Sequence, residues 1–161
     1  MDVSVILSLL QESLFMVLVF LSFFIYAVSV GRQSITNVIL GLYLALLISI
    51  EFPYYTFILS IAGNKKIESL VMLMVFALFA LCATILFARL MPREYQEGKF
   101  EDFWKKILLA CGATVLVMTF SYHALPVTEI ITPGSPIQYL FASKSSFFWW
   151  LIAPLVILFV V

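Results

Sequence analysis

Apolar residues fill this chain in long runs, and polar residues are confined to a few short breaks. The first run extends from Val3 to Val30 and stops at Gly31-Arg32-Gln33. The second starts near Ser34 and ends at Glu51, ahead of Phe52-Pro53-Tyr54-Tyr55. The third, Ile67 to Leu90, follows Asn64-Lys65-Lys66, and the fourth begins at Ile107 after a charged stretch from Arg93 to Lys106. A helix on the surface of a soluble domain pairs an apolar stripe with a polar face. These runs have no such face. A bilayer core about 30 Å thick is crossed by about 20 apolar residues. The pattern therefore predicts an all-α integral membrane protein, a polytopic helical bundle with four transmembrane helices at about 3–30, 34–51, 67–90 and 107–123. At 1.5 Å per residue the first run is roughly 42 Å long, so it must tilt or protrude.

The end of the chain is the exception. Pro126, Pro133-Gly134 and Pro136 predict a non-helical loop after the fourth span. The apolar segment 147–161 is then roughly 22 Å long as a helix, short for a span, and Pro154 interrupts it. It fits a fifth span if Gln138 to Ser146 joins it, a re-entrant segment, or an interfacial helix. Its apolar end at Val160-Val161 creates the expectation that it packs against a partner. Residues Thr56 to Gly63 are expected at the membrane surface, with a longer tilted second span as the alternative.

Composition narrows the picture further. Of 161 residues, 64% are hydrophobic and 11% charged, against about half and a quarter in soluble domains. Residues 1–161 are read as a single transmembrane domain. The net charge of zero offers no basic surface for nucleic acid. Asp2 stands where a basic n-region would, so a cleaved signal peptide is not expected, and no lipidation box is present. Cys82 and Cys111 fall inside apolar runs and read as small hydrophobes. No ligand set for a metal accompanies them, and no cofactor is expected.

Lys and Arg set the orientation. Arg32, Arg89, Arg93, Lys99, Lys105 and Lys106 fall on one side; Lys65, Lys66 and Lys144 fall on the other. The richer side is cytoplasmic, which puts loop 91–106 in the cytoplasm and the N-terminus outside. Within that loop, Pro92 to Lys106 reads as a solvated connector, able to form a short amphipathic helix. On this count Glu12, Glu51, Lys65, Lys66 and His123 share one level in the outer leaflet. An ionisable group inside a membrane is a functional candidate by default, but at the headgroups carboxylates reach water and lysines snorkel. The chain has no metalloprotease or hydrolase motif, so it is not expected to be an enzyme.

Small residues form a second set of candidates. Ala80, Thr84 and Ala88 recur every four residues in the third run, Gly41 and Ala45 do so in the second, and Gly112 sits early in the fourth. Such positions let helix backbones approach closely in lipid. They point to a compact bundle or a homo-oligomer.

The order of parts resembles the colicin V production protein (CvpA) family of small bacterial inner-membrane proteins. The resemblance rests on the turn Val28-Ser29-Val30-Gly31-Arg32, the aromatics from Phe52 to Phe57, the charged loop before the fourth span, and a C-terminal piece holding Trp149 and Trp150. The turn reads Gly-Arg where the family usually has Arg-Gly. The resemblance implies a non-enzymatic protein of the bacterial envelope, tied to secretion or membrane integrity. The expected role is an assembly, scaffold or accessory subunit in the plasma (inner) membrane. Its expected partners are the lipid bilayer, further copies of itself or other membrane proteins. The alternative is a small oligomeric channel or transporter subunit using the outer-leaflet acids.

Overall fold

A computed structural model describes residues 3–55, 65–91, 103–123 and 144–161, with side chains at 13–55, 67–91, 103–122 and 146–161. The described residues form helices α1 (Val3–Val30), α2 (Arg32–Glu51), α3 (Lys65–Leu90), α4 (Phe103–His123) and α5 (Lys144–Val160), and no strand occurs among them. Four of these helices carry stretches long and apolar enough to cross a membrane: Ser13–Val30, Arg32–Glu51, Ile67–Leu90 and Phe103–Tyr122. The expectations for Thr56 to Gly63, for the acidic loop Pro92 to Asp102 and for the proline-rich segment 124–143 lie outside the described residues.

Only Gly31 separates α1 from α2. Its φ of 102° and ψ of 168° lie in a region that side-chain-bearing residues avoid. That conformation ends α1 with the Gly31 N–H donating to the Ala27 carbonyl at 3.1 Å, and the chain reverses at once. Residues at similar steps on either side of Gly31, Ser22 and Tyr26 before it and Val38 and Leu42 after it, line one shared groove. The two helices therefore fold back on each other as a hairpin.

The contacts of α2 with α3 run in opposite order along the two helices. Gln33 donates to the Met91 sulfur at 3.5 Å, Gly41 meets Thr84, and the Phe52 ring packs on Phe79 at 5.2 Å. These helices are antiparallel. The Phe24 ring meets Phe103 edge-on at 5.5 Å, which brings the end of α1 to the start of α4. The Arg32 end of α2, the Met91 end of α3 and the Phe103 end of α4 thus lie together. At the opposite end Ser49 and Tyr55 share a hydrogen bond of 2.6 Å.

α4 is the central helix. It packs against α1, α2 and α5, and 56% of its apolar stretch is buried, against 6% for α1 and 11% for α3. Leu109, Ala110, Ala113, Leu116 and Phe120 of α4 join Ile35, Ile39, Leu42 and Ala45 of α2 in one core, with Ala27 from α1 and Phe76 from α3. Phe120 also meets Phe76 edge-on at 5.9 Å.

α4 begins at Phe103, four residues earlier than the apolar pattern suggests. Lys106, read above as part of a solvated connector, is 1% exposed in its first turn, and it does not lie there without a partner. Its neighbour Trp104 is 77% exposed on the opposite side of the same turn. Helical phase, not hydrophobicity, decided which of the two faces inward.

Candidate functional site

The small residues are where backbones come closest. A Cβ built on Gly41 would lie 2.9 Å from the Thr84 nitrogen and 3.0 Å from its Cα. No side chain fits there without moving α3. The Thr84 hydroxyl, which donates to the Ala80 carbonyl at 2.7 Å, lies nearer still to that position. Ala45 is fully buried and Ala80 packs against the core, whereas Ala88, two turns past Ala80, is exposed. The stripe on α3 therefore meets the bundle at Ala80 and Thr84 and has left it by Ala88. Gly112 of α4 faces α5, with Ile157 and Pro154 at 3.4–3.6 Å from where its Cβ would be.

α5 is an integral part of this assembly. Pro154 sits inside the helix and is fully buried. Proline has no N–H and crowds the carbonyl one turn back, so it disrupts the ladder around Trp150 and Leu151. Tyr43 of α2 donates its hydroxyl to the Leu151 carbonyl. A side chain from a neighbouring helix thus serves the turn that proline weakens, a common device where water is scarce. Gly112 accepts the proline ring and Tyr43 the loosened backbone, which together hold α5 against α4 and α2.

Polar groups turn inward. Thr114 and Thr119 are buried and each donates to the carbonyl four residues back at 2.7 Å, satisfying hydroxyls locally. Ser49 and Ser69 are buried as well. Asn37, 4% exposed in the second turn of α2, differs: its Oδ1 has no hydrogen-bond partner. A lone amide in an apolar run is its only sequence signal.

The outer-level residues are distributed over several helix ends. Glu51 closes α2 and is exposed. Glu12 lies in α1, Lys65 and Lys66 open α3, and His123 closes α4, while the side chains of these four lie outside the described residues. Among the described residues no group of three His, Cys, Asp or Glu could hold a metal. Cys82 is exposed and Cys111 half-buried, both as free thiols.

A concavity lies between α1, α2 and α3. Ser22, Phe23 and Tyr26 of α1, Val38 and Leu42 of α2, and Ala80, Leu81, Thr84 and Ile85 of α3 line a groove of about 430 Å³. Two of its three hydroxyls are already used, Ser22 on the Leu18 carbonyl at 2.8 Å and Thr84 on that of Ala80; the third is on Tyr26. Apart from the Tyr26 hydroxyl, the groove presents mostly carbon to whatever enters it. No family model, curated protein or solved structure matches this chain. The groove and the inward-facing amide are thus read on their chemistry. Neither assembles a nucleophile with a base, and the groove is built to contact apolar matter.

Proposed function

We propose that this chain is a multi-pass protein of a bacterial-type plasma membrane, acting without catalysis as an assembly, scaffold or accessory subunit. The observation that carries the membrane part is an inside-out surface. α1 exposes Leu14, Val17, Leu18, Leu21 and Ile25, and α3 exposes Leu70, Leu73, Met74, Leu78 and Leu81, while Asn37, Ser69, Thr114 and Thr119 are buried. Monomeric soluble proteins rarely expose contiguous apolar patches beyond a few hundred Å². A hydrocarbon solvent accounts for both halves of this pattern. The subunit role rests on the helix-packing devices and on the CvpA-like layout, which ties the chain to secretion or membrane integrity.

In this reading the shared end of α2, α3 and α4 is cytoplasmic, because Arg32, Arg89, Lys105 and Lys106 cluster there. Impermeant maleimide on intact cells tests the orientation. A cysteine at Gln138 should react and one at Gln96 should not; labelling at 96 from outside reverses the assignment. Pull-down from native membranes with mass spectrometry tests the role. Recovery of a clean monomer with no co-purifying membrane protein counts against an assembly subunit. The channel alternative draws nothing from Glu51, which is exposed at the end of α2.

A further inference from the structure

We propose that the groove between α1, α2 and α3 holds one acyl chain of an anionic phospholipid from the leaflet on the Arg32 side. This rests on the membrane reading above and goes beyond it by naming a specific lipid site. The volume of about 430 Å³ falls in the range of small-molecule sites, roughly 300–1,000 Å³. The Ser22 and Thr84 hydroxyls are satisfied by their own helices, so along its length the groove suits an alkyl chain, and the remaining hydroxyl, on Tyr26, belongs to the residue nearest the Gly31 end of α1.

Depth decides between a lipid and a partner helix. Measured from the Gly31 end, Tyr26 and Ser22 lie roughly 6 and 12 Å in, and Val38 and Leu42 roughly 9 and 15 Å. On α3, Ile85 and Ala80 lie roughly 8 and 15 Å from Leu90. The groove therefore occupies one half of a core about 30 Å thick. A partner helix needs a seam through both leaflets, whereas an acyl chain spans one.

Charge selects the headgroup. Arg89 is exposed in the last turn of α3, one turn beyond Ile85, and Arg32 opens α2 at the same end. Tyr26, 37% exposed, supplies an amphipathic ring at the mouth. An apolar trough leading to arginines at the interface matches a phospholipid with a negative headgroup.

The test uses the full chain in phosphatidylcholine vesicles containing a phosphatidylglycerol with a diazirine midway along one acyl chain. After irradiation, adducts are mapped by mass spectrometry. Leu21 and Cys82 lie at the same depth as Ser22 and Leu81, are exposed and do not line the groove, and they report ordinary lipid contact. Labelling at Ser22 and Leu81 should exceed labelling at those two. Arg89→Gln should lower the preference for phosphatidylglycerol over an equally labelled phosphatidylcholine by about fivefold, the factor expected for one basic group near the surface. Ser22→Trp and Leu81→Trp fill the groove from exposed positions and should each abolish the enrichment. Equal labelling at groove and outward positions, or enrichment that survives both tryptophans, overturns the proposal. So does a dimer, seen by native mass spectrometry without a lipid adduct, that either tryptophan disperses, because the occupant is then a second copy. Carbonate extraction of the same vesicles separates the two levels. A chain released by carbonate sinks the membrane reading, and a retained chain with even labelling sinks only the lipid site.

Discussion

Replacing Gly41 by alanine should destabilise the bundle, although the same change in most helices does the reverse. Alanine is favoured over glycine in a helix interior by about 1 kcal/mol. Against that, the new methyl would sit 2.9 Å from the Thr84 nitrogen and 3.0 Å from its Cα. Ordinary carbon contacts begin near 3.5 Å, so α2 and α3 must separate by about half an ångström along their interface. Overpacking of this kind costs about 1–3 kcal/mol, leaving a net loss of up to about 2 kcal/mol. Gly112→Ala is the internal control. Its nearest neighbours lie at 3.4–3.6 Å, and the closest is the end of the Ile157 side chain. That substitution should be neutral or stabilising by up to about 1 kcal/mol, the propensity gain alone. Thermal unfolding in one detergent, followed by circular dichroism, should rank Gly112→Ala at or above the parent and Gly41→Ala below it. Adding Thr84→Ala to Gly41→Ala should restore only part of the loss, since the backbone nitrogen and Cα remain in the way. If Gly41→Ala melts at or above the parent temperature, α2 and α3 do not approach as described and the reasoning fails.

Other outcomes follow from single contacts. Tyr43→Phe removes the donor to the Leu151 carbonyl and should lower stability by about 0.6–1.7 kcal/mol, the span for hydrogen bonds between membrane helices. Limited proteolysis near Lys144 should quicken in parallel; unchanged melting and cleavage would show that the bond contributes nothing. Gly31→Ala has no atom within 4 Å to clash with, yet its φ of 102° should cost about 1–3 kcal/mol. Gly31→Asn should be no better, because ψ of 168° lies outside the left-handed region that asparagine tolerates; rescue by asparagine in a melting series contradicts this. Asn37→Leu replaces a buried amide whose Oδ1 is unpartnered and should be neutral or stabilising, because desolvation of an unmet acceptor costs about 1–3 kcal/mol. A marked drop in melting temperature would mean that the amide is engaged.

Much of the helical layout was legible because it depends on hydrophobic run length alone. The expected spans 3–30 and 67–90 coincide with α1 and most of α3. The short C-terminal run was not placeable, since its length fits several positions relative to a bilayer. Pro154 reads as an interruption in one dimension, but in the fold it meets Gly112, and Tyr43 serves the adjacent turn. Lys106 looked like loop because charge marks a break, whereas its burial follows from its phase on α4. Asn37 gave little warning for the same reason: the runs are apolar all round, so periodicity carries no sign of which face turns inward.

The sequence by itself determined that the chain forms long apolar helices and where the first four of them end, because run length and breaker residues act locally, while α2, α3 and α4 start two to four residues before the apolar runs. It also marked the small residues that allow close packing. Only the tertiary structure decided which of them are used: Gly41 against Thr84, and Gly112 against Pro154, with Ala88 left outside. It likewise decided that α1 and α3 stay largely uncovered while α4 becomes the core, and that a half-depth groove opens between three helices. Those outcomes depend on how rigid cylinders of fixed shape fit together, and hydropathy, which is nearly uniform around these helices, carries no information about shape.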